Sequence, residues 1–397
     1  MKKLMMTLCA VGLMFAGCNK QSGEDNPLLQ KWDTPFETAP FEKIKVEHYL
    51  PAFEAAIAEH DKEIQAIIDN VEAPTFDNTI AALDYSGETL SKVAGVFFNM
   101  MAANTSEELQ KVNEKVGPMM ATHSDNVSMN AKLFEKIKAV YDAKDSQKYT
   151  GEQLALLEKT YNKFVRSGAL LDAAKQEELR KVNAELTKVE AKFDANLLKE
   201  TKAYQLVVEK EEDLKGLPQG EKEKAAALAK SEGKEGKWIF TLDNPSFMPF
   251  VTYADNRDLR KEIFNARVNR CNNGGETDNN ALVAQMSELR AKKAQLLGYE
   301  TFAHYQLEER MAKEPKAVFS LLENLLSYSV KVAKEEAAQF QTLLSKDVPG
   351  ATLEAWDMYY YAEKVRQQKY NFDAELTRPY FEINKVRQGC FDVLTKL

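Results

Sequence analysis

Cysteine and histidine are scarce in this chain, four of each among 397 residues, and their scarcity removes whole classes of chemistry. Cys9, Cys18, Cys271 and Cys390 form no C-x-x-C pair, which argues against a zinc ribbon or a thioredoxin-type redox site. His48, His60, His123 and His304 include no H-E-x-x-H, the spacing that sets two imidazoles one helical turn apart on zinc with a Glu as general base. There is no G-x-S-x-G elbow, no G-x-x-x-x-G-K-[ST] phosphate loop and no G-x-G-x-x-G after a strand. Positive charge is not in excess: 53 Lys plus Arg stand against 61 Asp plus Glu, a net −8, and no basic stripe of the kind phosphate recognition needs is present. No repeat of fixed period points to a solenoid.

What remains is an ordinary globular composition, 44% hydrophobic and 29% charged, long enough for a sizeable core and two lobes. The N-terminus reads as an address. Lys2 and Lys3 precede an apolar run over residues 4–16, then Phe15-Ala16-Gly17-Cys18 and a polar stretch. The run is too short to span a bilayer stably. Gly17-Cys18 resembles a bacterial lipobox, with Phe15 where Leu is usual, so the expectation is a signal peptide over residues 1–17. Cys18 is then the lipid attachment site, residues 18–30 a flexible tether, and residues 31–397 the helical body of an exported, membrane-anchored lipoprotein. An uncleaved anchor or plain export signal is the alternative.

Beyond the tether, helical spacing dominates. Leu50, Phe53, Ile57, Ile64, Ile67, Ile68 and Val71 step by three and four, as do Leu179, Val182, Leu186, Val189, Phe193 and Leu197. Leu282, Met286 and Leu289 repeat the pattern, and residues 318–344 form a longer stripe with Leu321, Leu325, Val332 and Phe340, all expected to bury against other helices. Breaks are expected at Ala73-Pro74-Thr75, Gly117-Pro118, Leu217-Pro218-Gln219-Gly220 and Asn273-Gly274-Gly275, and Glu314-Pro315 opens the long helix. Two β-rich runs, residues 204–208 and 238–242, flank a charged helical insert over 221–230 and predict a small strand pair. The fold class is therefore mainly α with a small β-rich insertion.

The candidate chemical residues are thin. His60 sits between Ile57 and Ile64 on an apolar stripe and reads as a packed core histidine. His304 has Glu300 and Glu308 four residues to either side, a weak metal ladder on one continuous helix, but Gly298 and Thr301 are expected to break that helix. Asn273-Gly274-Gly275 reads as a helix C-cap and loop. Cys271 and Cys390 read as buried thiols. Tyr359, Tyr360, Tyr361, Tyr370, Tyr380 and Phe381 fit either a peptide channel or helix packing. Residue chemistry alone assembles no catalytic set and no metal site.

A series of short motifs carries more. Phe41-Glu42-Lys43-Ile44 with Tyr49-Leu50-Pro51-Ala52-Phe53, then Asn78-Thr79-Ile80-Ala81-Ala82-Leu83 and Phe164-Val165-Arg166-Ser167-Gly168-Ala169, run in order along the chain. They are followed by Asp255-Asn256-Arg257 with Arg260, Ile263-Phe264 and Ala266-Arg267, then Gly274-Gly275 with Asp278-Asn279, Leu296-Leu297-Gly298-Tyr299 and Arg310-Met311-Ala312. Trp356-Asp357, Tyr360-Tyr361-Ala362-Glu363-Lys364 and Arg378-Pro379-Tyr380-Phe381-Glu382 close the series. In this order they resemble the peptidyl-dipeptidases of the thimet oligopeptidase and oligopeptidase A family of zinc peptidases.

The resemblance implies an all-helical, two-lobed peptidase with a deep channel, short peptides as substrates and C-terminal dipeptides as products. In the intact family, zinc polarises the scissile carbonyl and the Glu of H-E-x-x-H takes a proton from water. Those residues follow the Arg-Pro-Tyr-Phe-Glu block in the family, so no zinc ligand or catalytic residue is carried onto this sequence. The apolar spacing of Val386, Cys390, Val393, Leu394 and Leu397 runs to the last residue without a stop signal. The expectation is the N-terminal portion of a zinc peptidase, truncated before its catalytic region and inactive alone. Half of a split enzyme completed by a separate catalytic chain, or a non-catalytic lipoprotein that holds peptides or partner helices, remain as alternatives.

Overall fold

The computed structural model describes residues 26–372 and 374–397. The expected signal peptide and the lipid attachment at Cys18 lie outside the described residues. Three- and four-residue apolar spacing has its expected effect: the fold is mainly α, with one two-stranded sheet among the described residues. The chain divides into a first unit through Lys188 and a second from Val189, the division falling within one long helix.

In the first unit the helices are α1 (Val46–Asp69), α2 (Ala82–Tyr85), α3 (Glu88–Ala103), α4 (Glu107–Ser128), α5 (Ala131–Asp142), α6 (Gly151–Arg166) and the start of α7 (Ala173–Ala203). Their starts are chemically marked. Ser106 and Asn130 accept the Leu109 and Leu133 N–H groups, and Thr150 forms a reciprocal box with Gln153, satisfying donors that a helix start leaves unpaired. Ala73-Pro74-Thr75 does precede a helical segment, with Thr75 capping a π-helical turn, Phe76–Ala81.

Burial then follows the stripes. Tyr49 and Phe53 of α1 meet Phe97 of α3 edge to face, with ring centroids 5.1 and 5.4 Å apart, beside Val93 and Val116. A second cluster joins Ile64 and Ile67 of α1 to Leu133, Phe134 and Ile137 of α5 and Leu157 and Phe164 of α6. Tyr141 and Tyr161 stack at 3.8 Å across α5 and α6.

One expectation fails in this unit. Gly117-Pro118 does not break a helix; Pro118 lies inside α4. Buried Leu109, Val116 and His123 on both sides hold the helix to its neighbours, and tertiary packing overrides the local preference. At the start of the described residues the chain is packed. Leu28 is fully buried in the first cluster, the Asn26 amide donates to the His48 carbonyl, and the Trp32 indole donates to the Pro27 carbonyl.

The second unit contains the rest of α7, then β1 (Leu206–Val208), α8 (Gln219–Ser231), β2 (Trp238–Phe240), α9 (Asn244–Tyr253) and α10 (Arg257–Val268). It continues with α11 (Asn280–Leu296), α12 (Phe302–Leu307), α13 (Pro315–Asp347), α14 (Met358–Tyr370) and α15 (Ile383–Lys396). The strand pair is antiparallel, with Val207 opposite Ile239. It packs Leu206, Val208 and Phe240 against Phe247 and Phe250 of α9 and Ile263 of α10. Gly216, at φ +85°, turns the chain ahead of α8, where a side chain would collide with the Tyr253 carbonyl.

The long stripe of α13 is only partly buried. Phe340 and Leu344 pack with Tyr360 and Tyr361 of α14, whereas Phe319, Leu321, Leu322, Leu325, Leu326, Tyr328 and Val332 are exposed. Of the four residues expected to bury there, only Phe340 does so. Along α15, Ile383, Val386, Phe391, Val393 and Leu394 are likewise exposed. Cys390 is exposed too, contrary to the expected buried thiol, while Cys271 is buried and both are free. Among the described residues, no helix is long and apolar enough to cross a membrane.

Phe97→Ala removes the ring that Tyr49, Phe53 and Phe98 contact and should cost about 3–5 kcal/mol, read as a lower urea midpoint for the first unit; a loss under about 1 kcal/mol would contradict this packing account.

Candidate functional site

The polar centre of the second unit is built at the corner between α9 and α10. Asn256 caps α10 by accepting the Asp258 and Leu259 N–H groups, each at 3.1 Å. The cap starts a helix whose first turn carries Arg257 and Arg260, three residues apart and therefore on one face. A 3₁₀ turn, Ala355–Asp357, delivers Asp357 to the same place at the start of α14. Arg257 grips the Asp357 carboxylate through Nε at 3.0 Å and Nη2 at 2.7 Å, and Arg260 donates from Nη2 at 3.1 Å. The Glu354 N–H adds a further bond at 3.1 Å. Asp357 is 0% exposed and Arg260 is 1% exposed.

A second layer follows from the first. Arg260 donates to the Ala254 and Asp255 carbonyls and lies 3.9 Å above the Tyr360 ring, a desolvated cation–π contact. The Tyr360 hydroxyl donates to Asp255 at 2.7 Å. The Tyr361 hydroxyl and the Lys364 ammonium both donate to Asp347 Oδ2, at 3.2 and 3.0 Å. These residues with Val348 line an open recess of about 220 Å³.

Electrostatics fix the protonation states. Burial pushes the Asp357 carboxyl up, but Arg257, the Glu354 N–H and Arg260 outweigh it and hold the group below the usual carboxylate range. Burial, then the Asp347 carboxylate, push the Tyr361 phenol up to about 12. Burial lowers the affinity of Lys364 for its proton, yet Tyr360 and Asp347 more than compensate, so it stays an ammonium. Three carboxylates therefore face three cations. The Tyr360 and Tyr361 hydroxyl protons are spent on Asp255 and Asp347, so the wall offers the Lys364 ammonium and the tyrosine oxygen lone pairs, and its carboxylates are already committed to internal partners.

The residues singled out in the sequence have scattered destinations. Tyr360 and Tyr361 enter the recess, whereas Tyr359, Tyr370, Tyr380 and Phe381 are exposed. His304 follows its expected break: α11 ends at Leu296, and α12 starts after Thr301, which caps it. Glu300 lies 3.7 Å from His304 Nε2, but Glu308 accepts the Tyr299 hydroxyl, so no ladder forms. Asn273-Gly274-Gly275 is a loop, as expected, but not the C-cap of α10; that position belongs to Asn269, and the loop is tied to Glu200 through Cys271 N–H, Asn273 and Thr277. Burial, then Glu200, push the Cys271 thiol up to about 11, which makes it a poor nucleophile.

The histidines do not fit a zinc ion. His48 accepts the Lys45 N–H at the start of α1, and His60 and His123 bond to each other. Among the described residues, no group of three His, Cys, Asp or Glu side chains could hold a metal. The His60–His123 pair and the Asp357 network were not visible in the sequence. Asp255, Arg257, Arg260, Asp357, Tyr360 and Lys364 all lay within the motifs quoted above, which marked them without disclosing that they meet.

Asp357→Asn leaves two guanidiniums without their carboxylate and should cost about 3–5 kcal/mol, measured by urea unfolding of the second unit. Because the folded Asp357 carboxyl sits below its ordinary value of about 3.9, its contribution is present above that pH and lost as pH falls through the folded value. The gap between the two proteins should therefore narrow in acid; an equal gap at pH 7 and pH 2 would contradict the assignment.

Residues 53–176 match the N-terminal domain of neurolysin and thimet oligopeptidase, and residues 250–397 match Peptidase family M3. The dipeptidyl carboxypeptidase of Salmonella typhimurium is 34% identical over 363 residues, covering 91% of this chain and 53% of that protein. The Escherichia coli dipeptidyl carboxypeptidase is 33% identical over 367 residues, covering 92% and 54%. Oligopeptidase A of Escherichia coli is 30% identical over 380 residues, covering 94% and 55%. The chain thus spans about half the length of the curated relatives it matches. The recess residues fall inside the stretch matching the peptidase family itself, and with both stretches matched in order the chain belongs to peptidase family M3.

Proposed function

We propose that residues 1–397 form the peptide-holding part of a zinc peptidase of the peptidyl-dipeptidase type, with hydrolysis carried by residues outside this sequence. The observation that carries this reading is the match of more than nine-tenths of the chain to relatives named dipeptidyl carboxypeptidase, in a sequence without H-E-x-x-H. The uncovered apolar residues of α13 and α15 support it. The apolar face of an amphipathic helix is normally buried against a neighbour, and further polypeptide of the same peptidase would cover both. The recess beside Asp357 then serves as a rigid wall: Arg257 and Arg260 brace α9, α10 and α14 against one another, and Lys364 presents its ammonium.

The reading extends to location. Two lysines, a short apolar run and Gly17-Cys18 support an exported chain whose leader is removed at residue 17 and whose Cys18 carries lipid. Cys18→Ser should abolish acyl labelling in a bacterial host and move the protein out of the membrane fraction; unchanged labelling would overturn this part.

Residues 19–397, supplied with zinc and a blocked short peptide, are expected to release no dipeptide above the rate without protein. Turnover that a chelator abolishes would show that this stretch contains a hydrolytic metal centre and would overturn the division of labour proposed above.

A further inference from the structure

The first unit contains a chain of polar contacts, three hydrogen bonds and one ion-pair contact, that the peptidase reading does not use. Asp61 Oδ1 lies 3.2 Å from His123 Nδ1, and His123 Nε2 lies 2.9 Å from His60 Nδ1. His60 Nε2 lies 3.1 Å from Ser86 Oγ, whose hydroxyl donates to the Leu83 carbonyl at 2.7 Å. The chain joins α1, α4 and the turn between α2 and α3. His123 is 6% exposed. The turn packs directly on the His60 ring: Gly87 has φ +73°, and a Cβ there would lie 3.0 Å from His60 Cε1. Glu63 of α1 accepts the Gly87 N–H at 2.7 Å.

The hydrogens available along this chain limit how it can bond. A neutral imidazole has one N–H and one acceptor nitrogen, and a protonated one has two donors. Ser86 spends its single hydroxyl proton on Leu83, so it is an acceptor toward His60 and has no activated hydroxyl to offer as a nucleophile. His60 must then donate from Nε2 and, if neutral, accept at Nδ1. His123 then donates from Nε2 to His60, and its Nδ1 faces the Asp61 carboxylate at 3.2 Å. The three hydrogen bonds are satisfied with both rings neutral, and a single extra proton on His123 Nδ1, between that nitrogen and Asp61, leaves them intact. With both protonated, two N–H groups face each other across 2.9 Å with no acceptor between them.

We propose that His60 and His123 form a one-proton clasp that locks α1 to α4 and to the start of α3, and that a second proton, taken up as the medium acidifies, opens it. The charged groups that act on His60 agree with this. Burial disfavours its charged form first, His123 of α4 and Lys163 of α6 oppose it further, and Glu63 and Asp61 of α1 compensate in part, leaving His60 harder to protonate than an ordinary histidine. The unfolded chain takes that proton near pH 6.5. Below that pH the unfolded state binds more protons than the folded one, so acid weakens this unit. The rings pair as one titrating system, and the step belongs to the pair.

The test uses the full chain with ¹⁵N-labelled histidine, assigned with His60→Gln and His123→Gln, and follows both imidazoles from pH 8 to pH 5. The nitrogens of the two rings should move together and show at most one extra proton on the pair while the fold persists; two independently and fully protonated rings in the folded protein at pH 5 would overturn the clasp. The second measurement is urea unfolding of the first unit against pH. One excluded proton makes the unfolding constant rise by up to about tenfold per pH unit below 6.5, and His60→Gln, which bonds but does not titrate, should remove most of that rise. An equal acid dependence in the folded His60→Gln protein would overturn the proposal. If that variant does not fold, the imidazole titration of the unsubstituted chain decides alone.

Discussion

Asp357 is the constraint on which the second unit turns. A carboxylate with no exposed surface is costly to bury, and it is tolerated because Arg257, Arg260 and the Glu354 N–H meet it from three directions. Those same bonds fix everything around them. Arg260, once held by Asp357, is free to reach the Ala254 and Asp255 carbonyls and to lie over Tyr360. Tyr360 then anchors on Asp255, and Tyr361 with Lys364 anchors on Asp347 at the end of α13. Breaking the pair strands buried charge, so its retention speaks to specificity of arrangement as much as to net stability.

Much of the architecture was legible because it depends on local spacing. The apolar steps of Phe53, Ile64 and Ile67 form α1, Glu314-Pro315 opens α13, and Gly298 and Thr301 mark the break between α11 and α12. The strand pair was legible too, although it shrinks to three residues on each side. What failed depends on partners far away in sequence. Arg257 and Asp357 are 100 residues apart, and His60 and His123 are 63 apart. Nothing in their local context announces a meeting. Pro118 misled for the converse reason, since its helix is held by packing that a local rule does not see.

The exposed apolar residues of α13 and α15 bear on the same question from the other side. Spacing marked Leu321, Leu325 and Val332 correctly as a stripe that wants burial, yet the described residues do not bury it. The chain spans about half the length of its relatives, and its recess charges and its histidines are committed to internal bonds, which agrees with the proposal that it positions peptide.

That central claim is tested most directly by calorimetric titration of a blocked short peptide into residues 19–397. The account predicts saturable binding heat with the peptide recovered intact at the end of the titration. Absence of saturable binding, under conditions where the protein is folded, would contradict it.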